Sequence, residues 1–195
     1  MNTWFESIVE GFRLYINYGL TVTAPVIVFM MAVSKKFNIA ELVIKQLFVL
    51  YLFCVIELVF FPLPTAEAAA GLSYRYQLMP FHFMVDFMED SFIRVLSQVL
   101  LNVVMTIPFG MFLEYCTGMS LKEAVAAGFA FSLFIELGQL TGLFFLFKGS
   151  YRLFDVDDLM LNTLGVVIGY IASRRVIPQN FQISVFNKYI TVGSN

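Results

Sequence analysis

Residues Val95–Leu113 read VLSQVLLNVVMTIPFGMFL, 19 residues without an Asp, Glu, Lys or Arg among them. A helix needs about 20 residues to cross the hydrocarbon core of a bilayer, so this stretch sets the class of the chain: it is a membrane span. A second uncharged run, Leu14–Ser34, makes the same case. The chain of 195 residues is 59% hydrophobic and 13% charged, whereas soluble domains carry about 25% charged residues. No soluble module is left over. A net charge of −2 lacks the basic footprint of a nucleic-acid-binding protein.

Working outward, apolar runs predict about five spans: Leu14–Val33, Gln46–Leu63, Ile93–Leu113, Leu121–Leu140 and Asp158–Ser173. The expected fold is an all-α, polytopic membrane helical bundle, with residues 1–195 forming one integral membrane domain. No basic region precedes the first apolar run, which offers Glu6 and Glu10 instead. It is therefore expected to stay as a span and not to be cleaved as a signal peptide. Cys54 and Cys116 fall within or at the end of spans and read as apolar fillers, not as a disulfide or metal pair.

Orientation follows from lysine and arginine, which collect on the cytoplasmic side. Lys35, Lys36, Lys45, Lys122, Arg174, Arg175 and Lys188 fall in one set of connections. That places the N-terminus outside and the C-terminus inside, with 178–195 a cytoplasmic tail whose alternating Phe181, Ile183 and Val185 carry no recognisable chemistry. The connections 65–94 and 148–157 then emerge together on the outer face.

Polar residues inside the spans converge on that face: Glu57, Asn102, Glu136, Gln139 and Asn162. Glu136 and Gln139 share a helix face, and Asp158, Asn162, Gly165 and Gly169 form one stripe of the last span. Its inner part is a small-xxx-small pattern suited to close helix packing. Asp155 and Asp157 precede that helix, where a carboxylate caps free amides and complements the dipole. Glu114 alone sits at the inner end and reads as interfacial. Ionised carboxylates at mid-membrane are costly, so the fourth span is expected to break at Thr141–Gly142 and leave Glu136 near the surface. The segment Ser73–Phe83, SYRYQLMPFHF, suits headgroup depth, with Arg75 able to reach phosphate or carboxylate and His82 an interfacial aromatic.

Four blocks carry a family likeness: YRYQLMPF (Tyr74–Phe81), NVVMTIPFG (Asn102–Gly110), IELGQLTG (Ile135–Gly142) and YRLFDVDDLMLNTLG (Tyr151–Gly165). Over about 46–170 the chain resembles the VanZ-like membrane proteins. Leu143–Phe147 departs from the pattern in being phenylalanine-rich where a more polar loop is expected. The resemblance implies a multi-pass protein of the bacterial cell membrane, associated in some members with resistance to the lipoglycopeptide teicoplanin. It places the family pattern on Arg75, Gln77, Pro80, Phe81, Asn102, Pro108, Gly110, Glu136, Gln139, Arg152, Asp155, Asp157, Asp158, Asn162 and Gly165.

The candidate ligand-binding residues are Arg75, Gln77, Asn102, Glu136, Gln139, Arg152, Asp155, Asp157, Asp158 and Asn162, with Asp158 and Arg152 as the central pair. The leading expectation is a lipid-handling protein whose partners are membrane lipids, a cell-wall lipid precursor or an acylated glycopeptide. The second is an intramembrane enzyme using Glu136 and Asp158 as general acid and base on a headgroup. No nucleophile has a recognisable partner, so the reading leans away from an enzyme. The third is a structural partner protein, in which Asp158 pairs with Arg152 or Arg75 and ties outer loops to the bundle. No cofactor is assigned; the carboxylates could ligate Ca²⁺ or Mg²⁺, but their spacing matches no cation loop.

Overall fold

The computed structural model describes residues 3–33 and 39–176. Lys35, Lys36 and the tail with Phe181, Ile183, Val185 and Lys188 lie outside the described residues. The contacts divide the chain into two compact units, the first ending at Leu63 and the second starting at Pro64. Among the described residues, five helices are long and apolar enough to cross a membrane: Trp4–Val33, Glu41–Phe60, Phe92–Thr117, Leu121–Leu140 and Val156–Val176.

In the first unit, α1 (Thr3–Leu14) runs through a π turn (Tyr15–Gly19) into α2 (Leu20–Val33), and α3 (Ile39–Phe60) follows. The first span thus starts at Trp4 and not at Leu14, because Glu6, Glu10 and Arg13 are accommodated on the helix; Arg13 pairs with Glu10 at 2.8 Å. Gly11 lets α1 approach α3, since a Cβ there would lie 2.7 Å from Cys54 Cα. Gln46 Oε1 accepts hydrogen bonds from Tyr15 (2.8 Å) and Thr23 (2.9 Å). Glu57 is buried within this unit.

The second unit contains α4 (Ala66–Ala70), β1 (Tyr76–Gln77), α5 (Phe83–Glu89), α6 (Phe92–Phe112, followed by a π turn at Leu113–Thr117), α7 (Leu121–Leu140), a short turn α8 (Gly142–Phe145), β2 (Phe154–Asp155) and α9 (Val156–Val176). Helices α6 and α9 meet backbone to backbone. A Cβ on Gly165 would strike the Val103 carbonyl and Thr106 Oγ, one on Gly169 the Ile107 carbonyl, and one on Gly110 the Val166 carbonyl. The stripe read from the sequence is therefore the packing face, matched by a glycine on the partner helix. Leu113, Ala124, Val166 and Tyr170 close the core below it.

Helix α7 starts in a capping box: Ser120 N–H donates to Glu123 Oε2 at 2.7 Å and Ser120 Oγ accepts from Glu123 N–H at 3.4 Å. It ends where expected. Thr141 Oγ accepts from Phe144 N–H at 3.2 Å, and the chain turns at Gly142 (φ 64°). Leu143, Phe144 and Phe145 follow at φ 56°, 54° and 71°. Left-handed backbone costs side-chain-bearing residues roughly 1–2 kcal/mol each; bonds from Phe145 N to Thr141 O and Phe147 N to Gly142 O, both 2.9 Å, help to hold it. Glu114 differs from its interfacial reading. It is 4% exposed and accepts from Ser173 Oγ at 2.8 Å, because the π turn directs it into the helix contact.

Gly165→Val is expected to lower the melting temperature in detergent by several degrees, since overpacking costs about 1–3 kcal/mol even in ordinary cores. Gly71→Ala, where an added Cβ meets nothing within 4 Å, is expected to leave it unchanged. Thermal unfolding of the two variants checks this.

Candidate functional site

The start of α9 organises the polar end of the second unit. Asp155 caps the helix, its Oδ1 accepting from Asp157 N–H at 2.8 Å. The Asp157 carboxylate reaches away from its own helix and accepts the backbone N–H groups of Phe81 (2.6 Å) and Phe83 (2.9 Å). Those two bonds fix the segment before α5 against α9. Strands β1 and β2 run parallel alongside, pairing Tyr76 with Phe154 and Gln77 with Asp155. Ser150 Oγ closes the junction, accepting from Arg75 N–H at 2.7 Å and donating to the Ser73 carbonyl at 3.1 Å. Gln77 Nε2 donates to the Met79 carbonyl (2.7 Å) and to Asp155 Oδ1 (3.3 Å). Two sequence blocks more than seventy residues apart thus form one structure.

Beneath it lies a layer of polar groups in which Glu136, Ser132, Thr106 and Asn162 are buried and Asn102 and Asp158 half-buried. Glu136, 1% exposed, accepts from Asp155 N–H at 3.0 Å and so joins the end of α7 to α9. Asn102 Nδ2 on α6 donates to Asp158 Oδ1. One turn further in, Asn162 Nδ2 donates to Ser132 Oγ at 2.9 Å, Ser132 Oγ donates to the Asp158 carbonyl at 3.4 Å, and Thr106 Oγ donates to the Asn162 carbonyl at 2.7 Å. Asp158, Asp155 and Arg152 all act on the charge of Glu136, with Asp155 and Asp157 acting on Asp158.

The acids therefore converge, but their partners differ from the expected pair. Asp158 is held by Asn102, and Arg152 bears on Glu136. Arg75 enters through its backbone while its side chain is exposed. Gln139 is buried on α7, one turn beyond Glu136. His82 lies 3.2 Å from Asp86. Ser132, Thr106 and Ser150 were not among the sequence candidates. For Ser132 a signal exists: it sits four residues before Glu136, on the same face of α7.

Burial pushes the Arg152 guanidinium below its ordinary value, opposed by Tyr151 and Glu136. Burial also raises the Asp155 carboxyl, outweighing the hydrogen bond from Asp157 N–H; the charges of Asp157 and Asp86 add to the rise and His82 opposes it. Chemically, the end of the unit can offer carboxylates to hydroxyl or ammonium groups and a guanidinium to an anion. Among the described residues, no three His, Cys, Asp or Glu side chains converge in metal-holding geometry.

Two outcomes follow from this geometry. Asp157→Ala removes the acceptor for Phe81 and Phe83, so limited proteolysis within Ser73–Phe83 should accelerate severalfold. A raised Asp155 value means that the folded state holds its proton more tightly than the unfolded chain, so docking weakens as pH rises through that value, opposite to a salt-bridged aspartate. Asp155→Asn keeps an Oδ1 acceptor and should flatten the rise in cleavage rate that the wild type shows as pH increases.

A family model described as VanZ/LLP1 matches residues 48–177. No curated protein and no solved structure matches the chain.

Proposed function

The chain belongs to the VanZ/LLP1 family, and from that premise we propose that it is a bacterial cell-membrane protein that binds the polar headgroup of an envelope lipid or acylated ligand at the start of α9. The positive-inside count puts this end on the outer face, with the N-terminus outside and the C-terminus inside. The observation that carries the reading is the pairing of buried Glu136 with half-buried Asp158 beneath the 73–83 segment that Asp157 holds. Carboxylates at a membrane face are retained at a cost, and hydroxyls or amines of a headgroup would offset it. Arg152, with the exposed Arg75, supplies contacts for phosphate or carboxylate. Around them the chain exposes Tyr76, Leu78, Met79, Phe81, Phe145 and Leu146, an apolar rim that suits acyl chains at headgroup depth.

One feature favours a second reading. Glu136 and Asp158 are two carboxylates in differing hydrogen-bond settings, the arrangement that general acid and base catalysis uses. Such an enzyme would lose turnover in Asp158→Asn and Glu136→Gln while folding normally.

The test is susceptibility to teicoplanin and to vancomycin in cells producing equal amounts of wild type or Asp158→Asn. Binding of an acylated ligand predicts that wild type raises tolerance to teicoplanin alone and that Asp158→Asn loses at least half of the effect. Equal tolerance to both antibiotics, or an unaltered effect in the variant, contradicts it.

A further inference from the structure

The turn after α7 sends large apolar side chains out of the bundle. Leu143, Phe144 and Phe145 stand at φ 56°, 54° and 71°, the left-handed region that side-chain-bearing residues rarely adopt. Backbone strain of this kind persists where the surrounding structure enforces it, often because the conformation serves a purpose. Here its result is outward display: Phe145 is 77% exposed and Leu146 66%. Leu143–Phe147 also departs from the family pattern, so the display belongs to this chain's own residues.

The direction of the turn tells what it meets. Ala126, Ala130, Phe134 and Leu137 form an exposed stripe on α7, opposite the face that buries Ser132 and Glu136. On a helix long and apolar enough to cross a membrane, that stripe meets hydrocarbon. Phe134 precedes the end of α7 at Leu140 by six residues, about 9 Å of helix, and its side chain points further from that end. The Phe144 ring nevertheless packs on the Phe134 ring, with centroids 4.9 Å apart. The chain therefore doubles back along the apolar stripe instead of leaving directly for water. Both rings stay open to the surroundings, Phe134 at 54% and Phe144 at 46%, so the pair extends the outer face of the span and closes no protein core.

We propose that Phe144, Phe145 and Leu146 form an anchor seated among the acyl chains of the adjoining leaflet, with the exposed Lys148 returning to the level of the phosphates. The partner is the hydrocarbon of bilayer lipids. The anchor sets the height of the end of α7, and with it Glu136, against the headgroups. It is independent of headgroup binding at the start of α9, since any bilayer lipid supplies the partner.

The single tryptophan, Trp4, is removed as Trp4→Phe, and either Phe145→Trp or Lys148→Trp is added. The full chain is reconstituted in phosphatidylcholine vesicles with brominated acyl chains, and quenching by the bromine is compared with quenching by aqueous iodide. The indole of Phe145→Trp is expected to emit at shorter wavelength than that of Lys148→Trp and to be quenched severalfold more by bromine than by iodide. Lys148→Trp should show the reverse order. A folded Asp158→Asn chain should keep both patterns, which separates the anchor from the headgroup site. Where a tryptophan variant does not fold, wild type labelled by a phosphatidylcholine with a diazirine on its acyl chain decides, with adducts expected within residues 142–146. Free access of iodide to Phe145→Trp, quenching by neither agent as a covering second copy would give, loss of the pattern in Asp158→Asn, or a wild type without adducts in that stretch would each overturn the proposal.

Discussion

The backbone N–H groups of Phe81 and Phe83 both end on the carboxylate of Asp157, and the polar end of the second unit depends on that junction. Backbone donors near hydrocarbon cannot be left to solvent, and a charge-assisted pair of bonds satisfies two of them at once. With that segment anchored, β1 is brought beside β2, and Ser150 and Gln77 find their partners. Asp157 is thus an organiser of the site. Asp158, the next residue, points to Asn102 on a different helix, which divides the acids into one that builds the rim and one that belongs to the polar layer beneath.

The polar layer in turn requires the glycines. Asn102 reaches Asp158, and Thr106 reaches the Asn162 carbonyl, only because Gly165 and Gly169 admit the α6 backbone against α9. The break after Leu140 matters equally. It ends α7 one turn past Glu136, so the carboxylate meets the Asp155 N–H in place of lipid. Packing and polarity are therefore two aspects of one constraint: helices that approach closely, without bulky side chains between them, can bring polar groups together where water is scarce.

Much of this was legible in the sequence. Uncharged runs gave the spans, because hydropathy and length are direct consequences of bilayer thickness. The stripe Asp158, Asn162, Gly165, Gly169 was legible because helical periodicity is local, and the stop at Thr141–Gly142 because glycine at positive φ is a local preference. What periodicity does not encode is partner choice. Arg152 and Asp158 are close in sequence, yet Arg152 bears on Glu136 from α7 and Asp158 is held by Asn102 from α6. Thr106 is illegible in the sequence for a related reason: hydroxyls in apolar spans usually bond to their own helix, as Thr106 also does, and only tertiary contact shows that it reaches the Asn162 carbonyl as well. Ser132, by contrast, is marked by its place on the Glu136 face. The start of the first span was missed because charged residues on the amphipathic α1 hid its continuity with the apolar run.

The central claim is that the carboxylates under the 73–83 segment serve a ligand and do not merely tie loops to a bundle. Native mass spectrometry of the chain released from membranes tests it most directly, comparing wild type with the Glu136→Gln, Asp158→Asn double variant. Ligand binding predicts a defined lipid or acylated adduct on wild type that is lost in a double variant retaining its melting temperature. An adduct-free wild type, or a double variant carrying the same adduct at the same occupancy, would contradict the claim.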